Sequence, residues 1–305
     1  MVAAAVLLVG CGGGDEETAW EQAPSLAHAR AAHAVVTNGT AVWALGGTDA
    51  SGLPVLEVER LDGDGWEDVA TLPGEGLNAP AAVCLGGRIY AIGGFGTTTN
   101  DATSAVHVYD VAAGRWSEAA PLPEARGGHA AVVVDGKIHV VGGGNSVSTL
   151  DLHSVYDPAS DSWSEAAPLP RAKGSPAAVV HEGKLWVIGG RSGSDDFGDV
   201  DVYDPATDAW TPGPAIPPRG THGAVVRDRT IFVVGGESQA GGKALAGVLR
   251  LEHGEWEPAT PLPAPRAFAR AVVVDGAVLV VGGSGEAGSS HASQGSDTVF
   301  RLAPT

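Results

Sequence analysis

The feature that most constrains this chain is a glycine pair that returns on a fixed period. It stands at Gly46-Gly47, Gly93-Gly94, Gly142-Gly143, Gly189-Gly190, Gly235-Gly236 and Gly282-Gly283, at spacings of 47, 49, 47, 46 and 47 residues. A tryptophan keeps the same period at Trp20, Trp66, Trp116, Trp163, Trp210 and Trp256, spaced by 46, 50, 47, 47 and 46. Two independent markers on one period, across nearly all of 305 residues, mean a repeat architecture in which each unit buries its apolar faces against its neighbours.

The segments between the markers also align. Each tryptophan opens a Pro-Leu-Pro-like element, as in "WSEAAPLPEAR", "WSEAAPLPRAK", "WTPGPAIPPRG" and "WEPATPLPAPR". An apolar run follows, then a tight turn such as Asp135-Gly136, then a second apolar run that ends in the glycine pair. A variable polar loop leads to a third strand such as "AVHVYD" or "VDVYDP", and a turn leads to the next tryptophan. That is four short strands per repeat. Runs such as "AAVVV" lack clean alternation, as strands covered on both faces do. With 45 Gly, 20 Pro and no long amphipathic helical pattern, the chain reads as all-β. A propeller covers each blade with its two neighbours. The expectation is a six-bladed β-propeller over residues 18–305, with four antiparallel strands per blade. The glycines should end the second strand where the chain turns against its neighbour, and the tryptophans should pack between blades.

Marker order predicts how the ring closes. Trp20 precedes the first glycine pair, whereas the last pair is followed by "DTVFRL" and no tryptophan. The N-terminus therefore has a spare strand and the last blade lacks one, so residues 18–23 ("TAWEQA") should complete it.

These motifs resemble the kelch repeat: the Gly-Gly pair, Tyr-Asp on the third strand, the spaced tryptophan, and Arg-x-x-His before the first strand. The resemblance covers about residues 19–303, and it implies a kelch-type propeller. Two kelch-type enzymes bear on activity. Galactose oxidase needs copper and a Tyr–Cys crosslink. Here Tyr109, Tyr156 and Tyr203 share one repeat position, Tyr90 takes a second-strand slot, and Cys84 lies in a first-strand run, which does not suggest such a site. The N-acetylneuraminate epimerases, also six-bladed and exported by bacteria, are the nearer enzyme precedent.

The N-terminus reads "MVAAAVLLVGCGGGDEET". Its apolar run is too short to span a bilayer as a helix and suits a secretory signal. "LVGC" resembles the lipobox of bacterial lipoproteins, which implies cleavage before Cys11 and lipid on that cysteine. Residues 1–11 are thus read as signal and lipobox, and 12–17 as a flexible tether. The expected location is the bacterial envelope, periplasm or cell surface, with membrane attachment only through that lipid. A formal net charge of −18 argues against nucleic acid as a partner. No disulfide framework, nucleophile elbow, phosphate-binding loop or zinc-protease motif is present, and "GGG" at 142–144 is a repeat marker with one extra glycine.

Binding should sit on the face that carries the blade-joining loops and the loops after the second strand. Five of six blades place a cation at one equivalent position there: Arg30, Arg126, Lys173, Arg219 and Arg266, with Leu77 as the exception. Such a ring either recognises an anionic group or ties down its own loop through carbonyls. Three residues further on stand His33, His129 and His222, against Pro80, Pro176 and Ala269 in the alternate blades. Three imidazoles could hold a metal if they converged, but packing near the channel is the expected role, with no metal and no cofactor. Arg30, His33, Arg126, His129, Lys173, Arg219, His222 and Arg266 form the candidate ligand-binding set. Asp195, Asp196 and Asp199 could offer oxygens to calcium, although a solvated acidic loop is the plainer reading. The functional expectation is a monomeric, non-catalytic module that binds a protein or glycan, with a sialate epimerase-like enzyme as the alternative.

Overall fold

The computed structural model describes residues 19–63, 65–97, 99–288 and 294–304. The signal, lipobox and tether expectations, Cys11 among them, lie outside the described residues. Six four-stranded antiparallel sheets follow one another along the chain. Blade 1 is Ala34–Thr37, Val42–Leu45, Glu57–Asp62 and Gly65–Thr71. Blades 2 to 5 repeat the pattern from Ala81–Leu85, Ala130–Val134, Ala177–His181 and Gly223–Arg227 as their first strands. These first strands, with Arg270–Val274 of blade 6, touch one another in a closed circle around the axis.

Blade 6 closes as the marker order predicts. Its order from the rim inward is Trp20–Ala23, Val299–Leu302, Ala277–Val281 and Arg270–Val274. Trp20 pairs with Leu302 and Ala23 with Val299, and Leu26 N–H donates to Asp297 O at 2.8 Å. The outermost strand of the last blade thus comes from the opposite end of the sequence, and the ring is held shut by an antiparallel ladder.

The apolar core is a set of wedges between neighbouring blades. One wedge joins Trp43, Leu45 and Val58 of blade 1 to Ile89, Ala91 and Tyr109 of blade 2. Another joins Val42 and Ala44 of blade 1 to Leu279, Val281 and Val299 of blade 6. Each fully buried aliphatic side chain contributes about 1.5–3 kcal/mol, so most of the stabilisation lies in blade-to-blade contact.

The glycine pairs have a physical cause at this contact. In blade 2, Gly93 and Gly94 have φ of 54° and 110°. A Cβ on Gly93 would lie 2.5 Å from Arg126 O of the next blade and 2.8 Å from His129 Cε1. The second glycine of every pair donates its N–H to the carbonyl of the cation-position residue in the following blade. The distances run from 2.7 Å (Gly47 to Leu77, Gly236 to Arg266) to 3.0 Å (Gly143 to Lys173, Gly190 to Arg219). Blade 4 differs in one respect. Its second strand runs on through the pair as Lys184–Ser192, because a short hairpin lets it ladder with Asp195–Asp204, and the pair becomes a register shift between Ile188 and Gly190.

A series of backbone bonds also runs from blade to blade along the channel rim. Ala79 N–H donates to Ala32 O, Gly128 to Ala79, Ser175 to Gly128, Thr221 to Ser175 and Phe268 to Thr221, at 2.7–3.1 Å. Ala32, Ala79, Ser175, Thr221 and Phe268 all hold φ between 49° and 57°, left-handed backbone that side chains other than glycine adopt at a cost.

Candidate functional site

The blade-joining loops and the loops after the second strands bridge to one another at one face, as in Gly127 with Gly144, Gly174 with Arg191 and Gly220 with Glu237. The tight turns occupy the opposite face. The loop face therefore carries the candidate ligand-binding residues expected from the sequence.

The five cations lie beneath the surface and tie their own loops. Arg30 is fully buried, donates to Gly46 O at 3.2 Å and to Glu57 O at 3.1 Å, and is ion-paired with Glu59, which also accepts from Ala27 N at 2.5 Å. Lys173 Nζ meets Asp201 Oδ2 at 2.7 Å. Arg126 donates to Ser154 Oγ at 2.8 Å and Arg219 to Gly235 O at 3.1 Å. Arg266 donates to Pro265 O at 2.8 Å and lies 4.8 Å over the Phe300 ring. Burial lowers the pKa of Arg30, Arg219 and Arg266, and takes that of Arg126 down to about 10. Of the two readings of the basic ring, the geometry at Arg30, Arg126, Lys173 and Arg219 matches the one in which the cation ties its blade-joining loop to its own blade, whereas among the described residues Arg266 bonds only the adjacent Pro265 carbonyl.

The three histidines alternate around the ring, and all are buried. The Cε1 atoms of His33, His129 and His222 lie 2.7–2.8 Å from where a Cβ would stand on Gly282, Gly93 and Gly189, the first glycine of the preceding blade's pair. The rings thus wedge between blades. Burial first, and the neighbouring arginine second, hold them neutral, with His129 and His222 pushed down to about 3. Among the described residues no three His, Cys, Asp or Glu side chains are grouped to hold a metal ion. Of the acidic loop, Asp199 pairs with Arg171 at 3.1 Å, and Asp196 accepts from Gln239 N at 2.6 Å.

What the loop face offers a partner is a groove of about 580 Å³ across blades 3 and 4. Its walls are glycine backbone, Asn145, Ser148, Thr149, Ser192 and Phe95. Asn145 Oδ1 accepts from Val147 N and Ser148 N at 2.9 Å, which props the loop so that Val147 stands at the lip, 89% exposed. Leu53, 60% exposed, sits on the corresponding loop of blade 1. Among the described residues these are the two exposed large apolar side chains, and both follow a glycine pair.

Three charged positions on this face and in the channel were not singled out from the sequence. Arg191 and Glu237 form a buried ion pair linking the loops of blades 4 and 5, with Glu237 also accepting from Gly288 N at 3.0 Å. Desolvation raises the Glu237 pKa although Arg191 opposes it. Both residues directly follow a glycine pair, in a repeat column otherwise filled by Thr48, Phe95, Gly144 and Ser284, so a charge in that column was the available signal. The third is Arg270, which opens the first strand of blade 6 and lines the central channel.

Comparison with known proteins agrees with this architecture. A family model described as the KLHDC2/KLHL20/DRC7 Kelch-repeats domain matches residues 80–283. Kelch-like protein 36 of Mus musculus is 32% identical over 124 residues, 37% of this chain and 20% of that protein. Kelch-like protein 38 of Danio rerio is 32% identical over 112 residues, 36% of this chain and 18% of that protein. The matched segments span about a fifth of the length of these curated relatives. The solved structure of YjhT superimposes with a TM-score of 0.80 at 17% identity, covering 91% of this chain and 96% of that one, a likeness of fold.

Proposed function

Because this chain belongs to the kelch-repeat family, we propose that it is a non-catalytic interaction module that holds a protein or glycan across its loop face, in the bacterial envelope and tethered through Cys11. The observation that carries the reading is the groove between the loops of blades 3 and 4, with Val147 exposed at its lip. Its polar wall is largely glycine backbone and short hydroxyl side chains, and its one arginine is neutralised by Glu237. Such a surface suits an uncharged or weakly charged partner segment that combines backbone-like polar groups with small apolar ones. Val147→Glu, with Leu53 left in place, is the test. Partner capture from envelope extracts should fall at least about tenfold with no change in melting temperature, since an exposed tip contributes little to stability. Undiminished capture would rule out this groove.

The enzyme alternative, a sialate epimerase, rests on the resemblance of its repeats to exported bacterial epimerases. A basic mouth for the sugar carboxylate was its attraction. The cations that would form it are buried, and Arg30 and Lys173 are paired with carboxylates of their own blades, which leaves the binding reading ahead. Proton NMR of N-acetylneuraminate with the protein checks it: accelerated exchange between the anomers would establish the enzyme and end the non-catalytic reading.

A further inference from the structure

The repeat breaks at one position on the channel wall. The first residue of each channel-side strand, or the residue in register with it, is Ala34, Ala81, Ala130, Ala177 and Gly223 in blades 1 to 5, and Arg270 in blade 6. These positions line one cavity of about 190 Å³ on the propeller axis. That is many times the roughly 10–15 Å³ a single water needs on the same kind of measure. Its wall is otherwise made mostly of alanine and proline, with Val35, Gly223 and the two neutral histidines of blades 3 and 5. Gly223 is part of the accommodation: a Cβ there would come within 3.0 Å of Ala271 on the neighbouring strand.

Arg270 has no counter-charge. Among the described residues its guanidinium makes no hydrogen bond or ion pair, and burial is the one influence on its pKa, which it lowers to about 10. Its charge reaches His33, His129 and His222, on three different sides of the ring, and helps keep each of them neutral. The half-buried guanidinium faces this cavity without a carboxylate, so a bound anion would meet an uncompensated cation there. This situation differs from that of Arg30 or Lys173, whose carboxylates are supplied by their own blades.

We propose that the central cavity is a binding site for a small monocarboxylate, its carboxylate held by the Arg270 guanidinium and its apolar end lying against the alanine walls. The planar fork of arginine matches a carboxylate in two parallel hydrogen bonds. One fixed cation, with neutral imidazoles around it, balances a single negative charge and leaves a divalent anion half uncompensated. The methyl-lined wall gives an alkyl group a surface that chloride would not use. This site is separate from the groove beneath Val147, so either can fail without the other.

The test is calorimetric titration and thermal melting of the purified full chain with sodium acetate and sodium propionate, against sodium chloride at matched ionic strength and against sodium phosphate. The wild type should bind both carboxylates, propionate the more tightly, and its melting temperature should rise with the logarithm of their concentration. Arg270→Ala restores the residue found in four other blades. It should bind about tenfold or more weakly, and should melt at the same temperature as the wild type or higher in carboxylate-free buffer. Arg270→Gln, which keeps the length but not the charge, should match it. No carboxylate response in the wild type, equal responses in wild type and both variants, or a response to chloride or phosphate as large as to propionate would each overturn the proposal.

Discussion

Burial decides the charge of the histidines along the blade seams. His129 and His222 are held down to about 3, His153 to about 4, and His33 well below its usual value. His153 lies in the seam between blades 3 and 4, with its Nδ1 at 3.1 Å from Ala167 O. Ala167 O can only accept, so Nδ1 carries the proton and Nε2 accepts from His139 Nδ1 at 2.9 Å. In the unfolded chain these rings take up a proton near 6.5. The folded state refuses it until the pH is far lower, so their contribution to stability is complete above about 6.5 and is lost as the pH falls toward the folded values. Urea unfolding at pH 7 and pH 5.5 should show a loss of about 1 kcal/mol for each of the four rings. His129→Ala, the residue blade 6 carries as Ala269, should remove about a quarter of that loss, and a pH-independent midpoint would refute the assignment. His33, His129 and His222 were legible in the sequence as a column of the repeat, whereas His153 stands outside that column. The partners of the three were not, because the glycines they wedge against belong to the preceding blade, as Gly93 does for His129, and for His33 that blade is the last in the chain.

Within a blade, the outer strand is fastened by its tryptophan. Trp163 Nε1 donates to Ala120 O at 2.8 Å, Trp210 to Ala167 O at 2.7 Å, Trp256 to Pro214 O at 2.7 Å, Trp66 to Pro24 O at 3.0 Å and Trp20 to Thr260 O at 2.9 Å. Each acceptor follows the outer strand of the preceding blade. Blades 3 and 4 add a second grip, since Asp161 and Asp208 accept the N–H of Ala120 and Ala167 at 2.8 Å and also a tyrosine hydroxyl of their own blade. Trp116 is the exception, its buried Nε1 having no acceptor. Blade 1, which should supply it, has a register shift at Val58/Glu59, and the spacing from Trp66 to Trp116 is 50. Trp163→Phe should therefore cost about 1 kcal/mol more than Trp116→Phe in urea unfolding, the worth of one buried hydrogen bond. Equal costs would show that ring packing alone matters. The long spacing was visible in the sequence as an irregularity. Its meaning, a carbonyl moved out of reach, depends on a bulge that no turn residue announces. The same limit applied to the cations. Their column could be read, but not that Glu59, Ser154 and Asp201 wait one or two strands away to receive them.

For the whole ring, stability depends on the seam in blade 6. Deleting residues 18–24 would remove Trp20 and its bond to Thr260 O, free Arg301 from Glu21, and expose the ladder edge of Val299–Leu302. The melting temperature should fall by roughly 10 °C or more, measured by circular dichroism. An unchanged melt would mean that six blades hold together without closure. The number of blades and this seam were both readable, because the count and the order of markers survive any change in loop sequence. The loop groove and Arg270 were not among the residues chosen, since a motif search rewards columns that agree, whereas these positions stand out where a column disagrees. The seam also sets an orientation. Trp20 lies opposite Leu302, at the turn-face end of the outer strand, and the strand climbs from there to Ala23 and the loop face. The described chain thus enters the propeller at the rim, on the side away from the groove. A surface gripping the chain at that point would meet the rim on the turn side and leave the groove and channel mouth unobstructed.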